Sequence, residues 1–104
     1  MLLDARTLSV REMNKYMVER YLPGATAGQL DEASARLAAA ALELAAQGVE
    51  VRYIGSTFIP EEESCFCRFE GPAVANVRRA CEQAGVPFAR IFETHDFSPN
   101  KEGR

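Results

Sequence analysis

The only histidine of the chain, His95, lies in the run Glu93-Thr94-His95-Asp96. Imidazole is a good ligand for nickel, copper and zinc, and carboxylates complete such sites. On a strand, Glu93 and His95 share one face and Asp96 takes the other. With one histidine, the site must recruit carboxylates, backbone groups, water or a second subunit. It would be weak or open. The competing reading is a solvated histidine at the frayed end of an edge strand.

Three cysteines give a second candidate. Cys65-Phe66-Cys67 sets two thiols on one strand face, as a soft-metal or redox pair would need. The spacing is not C-x-x-C and there is no second pair, so a four-thiolate zinc site within one chain is excluded. Free cysteine is more often buried as a small apolar residue. Cys81 falls on the apolar stripe of a helix, which gives it the same reading. The acidic trio Glu61-Glu62-Glu63 reads as a solvated loop or as a hard-cation site.

A third candidate is a polar pocket. Glu19 and Arg20 lie on opposite faces of one strand, and a charge on a central strand is costly unless paired. Tyr16, Glu19, Arg20, Tyr53 and Arg68, with His95, could line a pocket on a sheet face. His95 or Glu19, tuned by burial, could then act as general acid or base. The chain has no Gly-rich phosphate loop, no G-x-S-x-G and no H-E-x-x-H.

The elements that would position these groups follow from periodicity. Tyr16, Met17, Val18, Tyr21 and Leu22 make a β-rich run, stopped by Pro23-Gly24. A strand is predicted over 15–21. Thr26 and Gln29 form a capping box. Leu30, Ala33, Leu37, Ala41 and Leu44 then recur at helical steps, so a helix is predicted over 27–46. Asp31 and Glu32 are read in its first turn, and Gly48 as its left-handed cap. Val49, Val51 and Tyr53 alternate with Glu50 and Arg52, predicting a strand over 49–58. Cys65, Cys67 and Phe69 alternate with Phe66 and Arg68, predicting another over 64–70. Gly71-Pro72 opens a second helix, with Pro72 at its first position. Val74, Val77, Cys81 and Ala84 form its stripe, and Gly85 caps it. A last strand runs from Pro87 through Phe97.

The order strand, helix, strand, strand, helix, strand is that of an α+β, ferredoxin-like βαββαβ fold. It implies a four-stranded antiparallel sheet with two helices on one face. The first and third strands are central neighbours, and the fourth edges the first. Residues 1–13 read as an N-terminal arm or extra strand, 14–98 as the ferredoxin-like domain and 99–104 as a polar tail. Phe66 and Ile54 point away from the helices. An apolar face of this kind is usually buried in a partner, so a homodimer is expected.

Composition sets the outer bounds. The chain has 104 residues, 47% hydrophobic and 26% charged, enough for one small globular domain. Its net charge of −3 lacks the footprint of a nucleic-acid binder. No run approaches the roughly 18 apolar residues of a membrane span. The first residues lack the pattern of a signal peptide, and three cysteines do not make a disulfide framework. A cytoplasmic protein is expected, with no nucleic acid and no membrane among its partners.

The run Tyr16-Met17-Val18-Glu19-Arg20-Tyr21-Leu22-Pro23-Gly24 resembles the opening of a family of small bacterial proteins, formerly a domain of unknown function. Glu61-Glu62-Glu63, Cys65-Phe66-Cys67-Arg68-Phe69-Glu70-Gly71-Pro72 and Ala84-Gly85-Val86-Pro87 are similar too. Cys67 matches a cysteine often seen in that family before an acidic residue and a helix-starting proline. The resemblance spans Lys15 to Pro99. The family includes a nickel-binding member with a ferredoxin-like fold, dimeric in the crystal. The resemblance therefore implies a small dimeric metal-binding protein that takes nickel or another divalent metal. Glu93, His95 and Asp96 are the residues of this chain best suited to ligate it. The alternatives are a small-molecule-binding protein or cofactor-independent enzyme with a pocket at the sheet face, and an interaction module that uses the dimer surface or the arm.

Overall fold

The computed structural model describes residues 13–99. The segment read as an arm, apart from Met13, and the tail beyond Pro99 lie outside the described residues. The elements are β1 (Asn14–Tyr21), α1 (Ala27–Ala46), β2 (Arg52–Ile59), β3 (Ser64–Gly71), α2 (Val74–Ala84) and β4 (Arg90–Thr94). The sheet runs in the order β2-β3-β1-β4, with every neighbouring pair antiparallel. This is the ferredoxin-like arrangement expected from the sequence.

One sheet face carries the core. Tyr16, Val18 and Arg20 of β1 stand opposite Phe69, Cys67 and Cys65 of β3. All six are buried. Leu37 and Leu44 of α1 are fully buried over them, and Ala33, Ala40 and Ala41 let the helix approach closely. Val77, Ala80 and Cys81 of α2 complete the layer. Burying side chains of this size contributes roughly 1.5–3 kcal/mol each for the large aliphatic and aromatic ones.

The helix ends follow local rules. Thr26 Oγ1 accepts from Gln29 N, and Gln29 Oε1 accepts from Thr26 N, closing the capping box. At the other end Val49 N bonds Leu44 O and Gly48 N bonds Ala45 O, with Gly48 at φ 91°. That is a Schellman turn, and only glycine adopts its left-handed residue without strain.

Several boundaries differ from expectation. Val49 is consumed by the α1 cap, so β2 starts at Arg52 rather than 49. Helix α2 starts at Val74, two residues after Pro72, with Ala73 as an N-cap that makes no side-chain bond. Pro72 is thus the lead-in, with its carbonyl oxygen 3.4 Å from Asn14 Nδ2. Asp31 and Glu32 lie beyond the first turn of α1, because that helix already starts at Ala27. Strand β4 is only Arg90–Thr94: Pro87 donates no N–H, and its carbonyl accepts from Arg20 Nε instead. Phe97 falls beyond β4 and is exposed.

Strand β2 carries a bulge between Tyr53 and Gly55. The extra residue reverses the side-chain parity downstream. Tyr53, Ser56 and Phe58 consequently pair with Phe69, Cys67 and Cys65, and all three take the helical face. Gly55 takes φ 158°, which residues with side chains rarely adopt, and a Cβ there would stand 2.9 Å from the flexible end of Arg68 at Nη2.

Candidate functional site

The sheet divides the predicted site residues between its two faces. Glu19 and Arg68 stand on the open face. Glu19 Oε1 accepts from Arg90 Nε at 2.6 Å, and Arg68 Nη1 donates to Thr57 Oγ1 at 2.8 Å. Tyr16, Arg20 and Tyr53 stand on the helical face, between sheet and helices. Strand alternation therefore does not bring these five residues into one pocket at the sheet face.

The open face is a mosaic. Half-buried Met17, Phe66 and Phe92 lie across its centre, with exposed Ile54 beside them. Lys15–Asp96, Arg90–Glu19 and Arg52–Glu70 ion pairs surround them, at 2.7, 2.6 and 3.1 Å. Arg68 is the open-face charge outside these pairs among the described residues.

His95 lies just past β4. Its Nε2 is 3.1 Å from Glu93 Oε2, and both side chains are largely exposed. They border a cleft of about 420 Å³ at the shared end of β1 and β4, with Met13 and Asn14 on its other side. Asp96 lines the same cleft but is already paired, its Oδ2 accepting from Lys15 Nζ at 2.7 Å. That hydrogen bond and the Lys15 charge lower the Asp96 carboxyl pKa and raise that of the Lys15 ammonium. The described residues contain no group of three or more His, Cys, Asp or Glu side chains placed to hold one metal ion.

The 3.1 Å separation of His95 and Glu93 is that of an ordinary imidazole–carboxylate hydrogen bond, and it is also compatible with two neighbouring ligands of one ion. Metal–ligand bonds of roughly 2.1 Å in an octahedral shell put neighbouring ligand atoms about 3 Å apart. The imidazole nitrogen and the carboxylate oxygen already stand at that separation. The remaining positions would fall to water or to groups from outside this chain.

The other candidates have structural roles. Cys65, Cys67 and Cys81 are free and buried. Burial, reinforced by neighbouring Cys67, pushes the Cys65 thiol up to about 11 and that of Cys81 up to about 12. In the absence of a metal both therefore keep their protons at neutral pH. Glu63 adopts φ 52° in the β2–β3 turn. Its carbonyl accepts from Leu22 N and its carboxylate from Gly24 N, tying that turn to the end of β1.

A feature absent from the sequence reading lies under the start of α1. Arg20, Ser34, Ser56 and Cys65 surround a hollow of about 230 Å³, with Leu30, Asp31 and Phe58 completing its walls. The bulge that turns Ser56 and Phe58 inward creates it. Only Gly55 hinted at that bulge in the sequence.

Together these features define a small α+β protein with one helix-covered sheet face, one open face and an imidazole–carboxylate pair at the sheet's end. The family described as "Nickel responsive protein SCO4226-like" matches residues 16–94, and the chain belongs to that family. The fold is also that of the crystal structure of SCO4226 from Streptomyces coelicolor A3(2), at a TM-score of 0.67 and 24% identity. That match covers 81% of this chain and 99% of the other. No curated protein matches the chain. Among the described residues no helix is long and apolar enough to cross a membrane.

Proposed function

We propose that the protein is a small homodimeric metal-binding protein that takes nickel or another divalent ion at His95 and Glu93. The 3.1 Å approach of His95 Nε2 to Glu93 Oε2 is the observation that carries this reading. Membership of a family described as nickel responsive supports the choice of ion. Asp96 joins the shell only by giving up Lys15, so the primary ligands are one nitrogen and one carboxylate. Such a site binds weakly and exchanges its ion readily, which suits response or sequestration rather than catalysis.

The open face supports the dimer. Its apolar centre of Met17, Phe66 and Phe92 is ringed by ion pairs that neutralise each other, leaving Arg68 as the charge among the described residues that a second copy would have to accommodate. A two-fold contact would place this patch against itself. The same reading takes the protein to be cytoplasmic, where its three free cysteines remain reduced.

Calorimetric titration with nickel tests the site. Wild type is expected to bind, and His95→Ala to bind at least about tenfold more weakly, which is about 1.4 kcal/mol. Equal binding by both proteins would remove His95 from the site.

A further inference from the structure

The hollow beneath α1 holds a charge that the chain does not neutralise. Arg20 is 7% exposed, yet it makes no ion pair among the described residues. Its Nε donates to Pro87 O at 3.2 Å. No buried side-chain nitrogen or oxygen among the described residues lacks a hydrogen-bond partner. The two terminal Nη groups, which have none, therefore open onto the spaces that Arg20 borders. One is this hollow, and the other is a groove beside Tyr21, Gln29 and Arg36. A buried guanidinium without a counter-charge is costly to a fold.

The hollow is the side that offers polar complementarity. Tyr53 OH contacts Ser34 Oγ at 2.7 Å and Ser56 Oγ at 2.6 Å. Three hydroxyls share two hydrogen bonds, so one of their three protons remains to be donated elsewhere. The Cys65 thiol on the wall is protonated at neutral pH and adds no negative charge. Leu30 and Phe58 give the hollow an apolar side. Asp31 on the rim is exposed and does not pair with Arg20.

We infer that this hollow is a binding site for a small organic monocarboxylate. Its carboxylate takes the Arg20 Nη groups in a planar fork and accepts a hydroxyl proton from the Ser34–Tyr53–Ser56 chain. Its short apolar body lies against Leu30 and Phe58. A guanidinium matches a carboxylate in shape, and an apolar wall favours a ligand with a hydrocarbon part. The Asp31 carboxylate disfavours a dianion, so inorganic phosphate is expected to bind more weakly than a monocarboxylate. The site lies on the opposite sheet face from the dimer patch and does not depend on the metal reading.

Nitrogen-15 NMR of the full chain, titrated with benzoate, benzyl alcohol or inorganic phosphate, tests it. Benzoate is expected to shift the amides of residues 20, 34 and 56 in a saturable way. Benzyl alcohol is expected to leave them unmoved, and phosphate to bind more weakly than benzoate. Arg20→Gln is expected to abolish the benzoate shifts. Because that variant alters the core, exposed Asp31→Asn provides a second reading in an intact fold. It should tighten benzoate binding about threefold by removing a nearby like charge. Absence of saturable benzoate shifts in wild type overturns the inference. So does phosphate binding as tight as that of benzoate, or Asp31→Asn leaving benzoate affinity unchanged or weaker.

Discussion

The two faces of the sheet handle charge in opposite ways. Among the described residues the open face carries seven charged side chains, and six of them form three ion pairs at its rim. The helical face buries one cation, Arg20, and gives it only a carbonyl and hydroxyl surroundings. Exposed pairs are each worth little, with a usual value of about 0–1 kcal/mol. Their role here is to neutralise the border of an apolar patch. A buried lone charge has no such cheap explanation, and it marks the place where the fold expects something from outside. On the readings proposed above, the open face meets a second copy and the hollow under α1 a small carboxylate.

The contrast can be broken first in the core. Leu37→Ala is expected to cost about 2–5 kcal/mol in urea unfolding, the usual loss for a fully buried leucine. Phe66→Asp on the open face should act through association instead. Light scattering is expected to give a dimer for wild type and a single 11.5 kDa chain for the variant, with helix content retained. A monomeric wild type would refute the role given to that face.

A smaller effect concerns pH. Thiols in the unfolded chain ionise near 9.0, whereas folded Cys65 and Cys81 hold their protons to about 11 and about 12. Between those values the unfolded state binds fewer protons than the folded one. Stability from these groups is therefore fully present below pH 9 and falls as pH rises towards the folded values. Unfolding curves at pH 8 and pH 10 should differ, with Cys81 contributing on the order of 1 kcal/mol. The decline is expected to be shallower in Cys81→Ala, and an identical decline would contradict the burial of that thiol.

The smallest effect lies at the bulge. Gly55→Ala should displace the Arg68 guanidinium from Thr57 and strain a backbone held at φ 158°, costing about 1 kcal/mol in urea unfolding. Unchanged stability would contradict the tight bulge.

The fold was largely legible because its signals are local. The Thr26–Gln29 capping box, the stripe from Leu30 to Leu44 and the alternation at Cys65, Cys67 and Phe69 each match what formed. Strand order followed from two right-handed crossovers. The pocket was not legible, because period-two reasoning cannot see an inserted residue. Continued alternation from Tyr53 would put Ser56 and Phe58 on the open face, and the bulge puts them on the helical face, where Ser56 stays exposed. Pro72 misled for a related reason: its fixed φ suits a helix start, but here it suits the extended lead-in equally well. At the candidate metal site, His95 and Asp96 lie past the end of β4, where alternation no longer sets the faces, and the sequence could not show that Lys15 would take Asp96.

The metal reading meets its most direct test in paramagnetic broadening of amide signals on adding nickel. The account predicts broadening centred on residues 93–95 of wild type and its loss in His95→Ala. Broadening centred instead on Glu61–Glu63 or on Cys65 and Cys67, and unaffected by His95→Ala, would contradict it.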